Sequence, residues 1–333
     1  MRLTQARAFH FFKKEQFVMT HDVPKFDVAG SITRLITEKL EAGVLPWVRP
    51  WTGTPPSQPL RSCGTPYRGI NLFVLWTIAH NKGFASPYWL TYRQASLLGG
   101  QVRKGEKCVH AIFYKSLGTD QDSEGSESET DRGTARRVLR SYAIFNADQI
   151  DDLPAHYHPP ATSACPDPDQ QNSEVQAWFE ALPAKVIHGG DHACYNGARD
   201  EIHLPVQAVF RSYVDYASTR AHETLHWSGG RARLNREFGK RFADKAYAFE
   251  ELVATMGEAL LCAKLGLPAA LHDDHAAYIA DWLTILGSDR SAILTAAAKA
   301  DEACTYLEGL VSDQKGSTQT TANNPVHSCA QAA

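Results

Sequence analysis

The chain reads as an α+β protein of two domains: a small α/β domain, then a mostly helical one with a small antiparallel sheet. Three observations predict this. At 333 residues the chain exceeds what one hydrophobic core ordinarily organises. A Pro-rich stretch at 151–173, holding Pro154, Pro159, Pro160, Pro166 and Pro168, has the composition of a linker. The charge divides at the same place. Residues 1–150 carry 20 Lys/Arg against 13 Asp/Glu, and residues 151–333 carry 14 against 24. Within 26–118 the imbalance is 11 basic to 4 acidic, which points to a polyanionic partner for the first domain.

The elements follow in order. Asp27 to Gly43 carries Ile32, Leu35, Ile36 and Leu40 at helical spacing, with Gly43 as a stop. Pro and Gly make 46–66 an extended loop. Gly69–His80 and Leu90–Leu98 read as helices, the second closed by Gly99-Gly100. Strands are expected at Cys108–Lys115 and Leu139–Phe145, flanking a Ser/Glu/Asp/Gly segment at 119–133 too polar to bury a core. The second domain, 174–311, starts with a helix at Glu174–Leu182. Strands at Lys185–His188, Ala193–Asn196 and Asp200–Leu204 follow. Helices are then expected at Tyr213–Trp227, Tyr247–Leu265, His275–Leu286 and Arg290–Val311. The polar tail 312–333 and the extension 1–25 read as outside the folded units, and Met19 is an alternative start to Met1.

Bulk properties exclude some classes. No run approaches the ~20 apolar residues of a membrane span. Met1–Val18 lacks the uninterrupted apolar stretch of a secretory signal. The seven cysteines, at 63, 108, 165, 194, 262, 304 and 329, form no CxxC pair, which favours reduced thiols in the cytoplasm over a disulfide framework.

The most informative motif is His222-Glu223-Thr224-Leu225-His226, an H-E-x-x-H. Residues four apart share a helix face, so both imidazoles reach one ion while Glu223 serves as general base. Ser212 is the expected N-cap and Gly229-Gly230 the stop. A zinc of this type needs a third ligand and one open position. Tyr247–Thr255 places Glu250 and Glu251 among apolar residues, where a carboxylate is costly unless it binds or pairs with a cation. Glu251 is favoured because the segment resembles the E-x-x-x-D/E arrangement of thermolysin-like enzymes, with Glu250 as the alternative. Position 255 is Thr, able to hydrogen-bond a ligand imidazole, and Glu258 reads as structural. Zinc suits two His and a Glu, with manganese or cobalt as substitutes in vitro. Ile202 and Leu204 mark a strand ahead of the helix that is expected to be an exposed edge able to pair with extended substrate.

The first domain interleaves cations with aromatics: Trp47, Arg49, Trp51, Tyr67, Arg68, Trp76, Trp89, Tyr92, Arg93, Arg103, Lys104, Lys107, Tyr114 and Lys115. Single-stranded nucleic acid is gripped by such mixtures, cations on phosphates and rings on bases. No recognition helix or finger of a duplex reader is visible.

These segments together resemble a known family. The residues that carry the resemblance are Pro46-Trp47, Pro50-Trp51, Tyr67-Arg68-Gly69-Ile70-Asn71, Tyr88–Gln94, Gly99–Glu106, Phe145–Gln149, His222–Trp227 and Tyr247–Ala254. They are similar to the ArdC-type antirestriction proteins of conjugative plasmids, over most of 27–311. The resemblance implies a single-strand DNA-binding domain at 26–150 and a zincin-like metallopeptidase domain at 174–311. It also implies protection of transferred DNA from host restriction, and it draws Asn71 and Gln94 into the set of DNA-contact candidates. Thr255 departs from the family, which usually has Glu there. Two other readings stand beside this one: a binding module whose zincin unit is not catalytic, and a DNA-tethered peptidase that cuts a host restriction subunit or other DNA-bound protein.

Overall fold

The computed structural model describes residues 27–45, 58–116, 137–159, 167–238, 245–267, 275–289 and 291–322. Helix α1, Val28–Glu41, starts where the Asp27 carboxylate accepts a hydrogen bond from the Gly30 amide. Ile32, Ile36 and Leu40 form its buried stripe, and Gly43, at a φ of 71°, turns the chain away after it. Strand β1 is Leu60–Arg61, helix α2 Ile70–Lys82 and strand β2 Tyr88–Thr91. Helix α2 is largely apolar from Ile70 to Ala79 and is accordingly buried on nearly every side over that stretch.

The expected helix at 90–98 is a strand that runs into a helix. Thr91 is the N-cap, and its hydroxyl and the Gln94 side chain satisfy each other's backbone amides. Helix α3 therefore begins only at Tyr92 and ends at Leu97. Strands β3 (Gln101–Val102), β4 (Val109–Ser116), β5 (Arg137–Asn146) and β6 (Ile150–Asp151) complete the unit. The main sheet has the order β1-β2-β5-β4, with β5 antiparallel to both of its neighbours and β1 parallel to β2. Leu75 and Ala79 of α2 pack on Trp89, Ala111 and Ile144 of this sheet. Asn71 pins α2 to β4, its amide donating to the Ile112 carbonyl at 2.7 Å and accepting from the Ile112 amide at 2.8 Å.

The Pro-rich stretch is not a free tether at its start. Tyr157 is buried against Leu90, Ala95 and Ile150, and its hydroxyl donates to the Ser62 carbonyl. At the other end helix α4, Pro168–Glu180, starts inside the stretch, because Asp167 caps it and Pro168 takes the position where a missing N–H costs nothing.

Strands β7 (Lys185–His188), β8 (Cys194–Asn196) and β9 (Glu201–Leu204) follow in the order β7-β9-β8. The sheet is mixed, parallel between β7 and β9 and antiparallel between β8 and β9. Helices α5 (Tyr213–Ser228), α6 (Lys245–Lys264), α7 (His275–Ser288) and α8 (Ala292–Ala322) build the rest. Helix α8 runs on past Val311 into the segment read as a disordered tail; no proline interrupts the chain there before Pro325. Helix α6 is the central one, buried from Glu250 to Ala263. The two units share one apolar core, in which Ile36 of α1 and Phe73 of α2 join Trp282 of α7 and Leu307 of α8. No helix among the described residues is long and apolar enough to cross a membrane.

Candidate metal centre

Helix α5 positions the H-E-x-x-H residues. Ser212 accepts from the Asp215 amide at its start, and Ala217, Ala221 and Leu225 face the core. Helix α6 packs closely on it because position 257 is glycine. A Cβ there would lie 2.5 Å from Leu225 Cδ1, so any larger residue would push the helices apart.

This close packing brings the α6 carboxylates onto the two imidazoles. His222 Nε2 lies 3.2 Å from His226 Nε2 and 3.4 Å from Glu251 Oε2, and His226 Nε2 lies 3.5 Å from Glu251 Oε1. Three ligands each about 2.1 Å from one tetrahedral ion stand about 3.4 Å apart, so the donor set fits a single divalent cation. His222, His226 and Glu251 form the one group of three such residues found among those described.

The imidazole nitrogens turned away from that point are held too. His222 Nδ1 lies 3.3 Å from Glu258, and His226 Nδ1 lies 3.3 Å from Glu250. These contacts fix ring orientation, as carboxylates behind metal-binding histidines generally do. Glu250 is clamped by Arg236, whose guanidinium donates to both its oxygens, to the Ser228 hydroxyl and to the Leu225 carbonyl. Glu258, read from the sequence as structural, is the partner of His222 and also accepts from Ser218. Among the described residues the buried Thr255 hydroxyl has no hydrogen-bond partner, imidazole included, and Glu258, one turn further on, supplies the carboxylate instead.

Electrostatics follow from this crowding. Burial, the largest single influence, favours neutral imidazole, but the surrounding carboxylates outweigh it. His226 is held at about 9 by Glu250 and Glu251, and His222 well above its ordinary value by Glu251 and Glu258. Burial likewise acts to raise Glu251, yet contact with both histidines brings it below the carboxylate range. In the chain alone the raised His226 adds stability that is complete below its reference value of 6.5 and is lost as pH rises through about 9. A cation must displace these protons, so its apparent affinity is expected to rise across that window, about tenfold per pH unit for each proton released. Competition titration with a chromogenic chelator checks this; a flat profile would contradict it.

The triad opens into a cleft of about 370 Å³ that Glu223 also lines. Tyr247, Tyr278 and Phe238 border it, as do Ala193, Cys194 and Tyr195 at strand β8. The substrate-edge expectation for Ile202 and Leu204 is overturned. They lie on β9, the central strand, paired on both sides and fully buried. The open edge beside the cleft is β8.

The DNA-contact candidates separate into distinct groups. Trp47 and Trp51 lie outside the described residues. Trp89, Tyr67 and Asn71 are core residues: the two rings pack beneath α2, and both Asn71 amide atoms are spent on Ile112, so none presents a face to a base. Arg68 is exposed and paired with Asp301 of α8. Tyr92, Arg93 and Gln94 on α3 and Lys104 and Lys107 on the β3–β4 loop are exposed, although Gln94 is engaged in capping α3. Arg103 is tied to Glu106, Asp151 and the Asp148 carbonyl, which makes it a loop clasp.

Comparison with known proteins accords with this organisation. Residues 26–145 match the N-terminal domain of anti-restriction factor ArdC, and residues 173–299 match the zincin-like metallopeptidase family. The uncharacterized protein y4eC of Sinorhizobium fredii is 34% identical over 86% of this chain and 93% of its own length. A DNA primase TraC of Escherichia coli is 33% identical over 81% of this chain, which spans only 26% of that protein. Crystal structures of the antirestriction ArdC protein from plasmid R388 superpose with TM-scores of 0.71 for the metal-free form and 0.72 for the Mn(II)-bound form. They are 40% and 39% identical, and each match covers 86% of this chain and 99% of theirs. Sequence, fold and domain order agree: the chain belongs to the ArdC antirestriction family and joins an ArdC-type N-terminal domain to a zincin-like metallopeptidase domain.

Proposed function

We propose that this protein binds single-stranded DNA through its first domain, hydrolyses peptide bonds through its second, and so protects incoming DNA from host restriction in the cytoplasm. The observation that carries the reading is the convergence of His222, His226 and Glu251 beside Glu223 in an open cleft. His222, His226 and Glu251 would hold a zinc or manganese ion, which would supply Lewis acidity toward a water and a substrate carbonyl; a crystal structure of the plasmid R388 relative is Mn(II)-bound. Glu223 accepts the proton of the attacking water and passes it to the leaving amine. Glu258 and Glu250 keep His222 and His226 aimed at the cleft, with Arg236 fixing Glu250. An extended peptide adds to the open edge of β8, its backbone pairing with Cys194–Asn196.

For the first domain, the surplus of basic residues and the exposed group of Tyr92, Arg93, Lys104 and Lys107 support contact with phosphates and bases. Similarity to part of a DNA primase supports a unit that works on DNA. The peptide substrate on this reading is a restriction subunit or another host protein held on the same DNA.

Glu223→Gln tests the proposal, since it removes the base and leaves the three ligands. The variant is expected to keep single-strand binding and metal but to lose protection when unmodified plasmid DNA enters a restricting host by conjugation. Full protection by the variant would favour the alternative in which the zincin unit is a non-catalytic module.

A further inference from the structure

Resting on the single-strand reading above, we propose that the face of the main sheet around Arg61, Phe113, Arg140 and Tyr142 is a base-stacking site for single-stranded DNA. None of these residues was marked by the sequence patterns. Strands β1 and β4 are the two outer strands of the sheet, yet Arg61 of β1 reaches across to β4. Its guanidinium carbon lies 5.6 Å from the Tyr67 ring centre and 5.1 Å from that of Phe113. Arg61 Nε is buried, and among the described residues it has no hydrogen-bond partner and no carboxylate pairs with this cation.

Tyr142 packs edge-on against Phe113, with centroids 5.3 Å apart, and remains 45% exposed. Its cross-strand neighbour is Ala111, too small to cover the phenol. Arg140 stands directly opposite Phe113 and is exposed. The patch thus combines an exposed ring, a cation held against aromatic faces and a second cation, Arg140, with no carboxylate partner among the described residues. A stacked base would cover Tyr142, and its phosphates would meet Arg140. Rings on a sheet face suit unpaired bases; in a duplex those base faces are already stacked. Charge complementarity points the same way, since residues 1–150, which contain the whole patch, carry 20 Lys/Arg against 13 Asp/Glu.

The test is fluorescence anisotropy of a labelled oligothymidylate with the full-length protein over a range of salt. Tyr142→Ala is expected to weaken binding about tenfold or more, and Tyr142→Phe to restore it. Arg140→Gln is expected to reduce the slope of log affinity against log salt by about 0.7. Both positions are exposed, and far-UV circular dichroism verifies that the variants fold. Wild-type affinity in both Tyr142→Ala and Arg140→Gln would overturn the site while leaving the single-strand reading intact. Wild-type protein that does not bind the oligonucleotide would overturn that reading, and the site with it.

Discussion

Replacing Arg236 with methionine is expected to destabilise the protein by about 3–5 kcal/mol, the usual cost of leaving one member of a buried ion pair without its partner. Arg236 and Glu250 have side chains only 3% and 4% exposed, and the guanidinium spends itself on Glu250, Ser228 and the Leu225 carbonyl. Removing it strands a carboxylate that is at present held below its ordinary range despite burial, by His226 and then Arg236. Part of the loss is recoverable by also replacing Glu250 with leucine, because the stranded charge then disappears. Metal affinity is not recoverable in that double variant, since His226 Nδ1 has lost its acceptor; a 10–100-fold weakening is the expected scale. Urea unfolding and chelator competition measure the two effects separately. A loss below about 1 kcal/mol for Arg236→Met would contradict the assigned pair.

The reading of α5 from sequence worked because every signal was local. The histidines are four apart, the cap and the glycine stop lie within one helix length, and the apolar side follows the same period. Glu250 against Glu251 was a different problem. Adjacent helix residues point about 100° apart, and only the packing of α6 on α5 decides which meets the two Nε2 atoms and which meets His226 Nδ1. That packing depends on Gly257 and on Arg236, a loop residue with no signature of its own. The role of Glu258 is hidden in the sequence for a related reason: Thr255 stands where a carboxylate is expected, while Glu258 lies one turn later on α6 and meets His222.

Misassignments elsewhere share a cause, which is strand order. Ile202 and Leu204 alternate as a half-buried edge strand would, but β8 and β7 flank them on both sides. Trp89 sits in a sequence rich in aromatics and cations, yet β2 lies between β1 and β5, and its ring is covered by α2. Conversely, Arg61 and Phe113 lie far apart in sequence and meet only because the sheet brings its outer strands within reach of one side chain. Pairing across long separations leaves no periodic trace in any single segment.

The proposed cation ligands are His222, His226 and Glu251, with Glu250 acting from behind His226. Elemental analysis of purified wild type, Glu251→Gln and Glu250→Gln after dialysis against trace zinc tests this assignment most directly. About one zinc per wild-type chain is expected, with near-complete loss in Glu251→Gln and retention at reduced affinity in Glu250→Gln. Stoichiometric zinc in Glu251→Gln together with its loss in Glu250→Gln would exchange the roles of the two carboxylates.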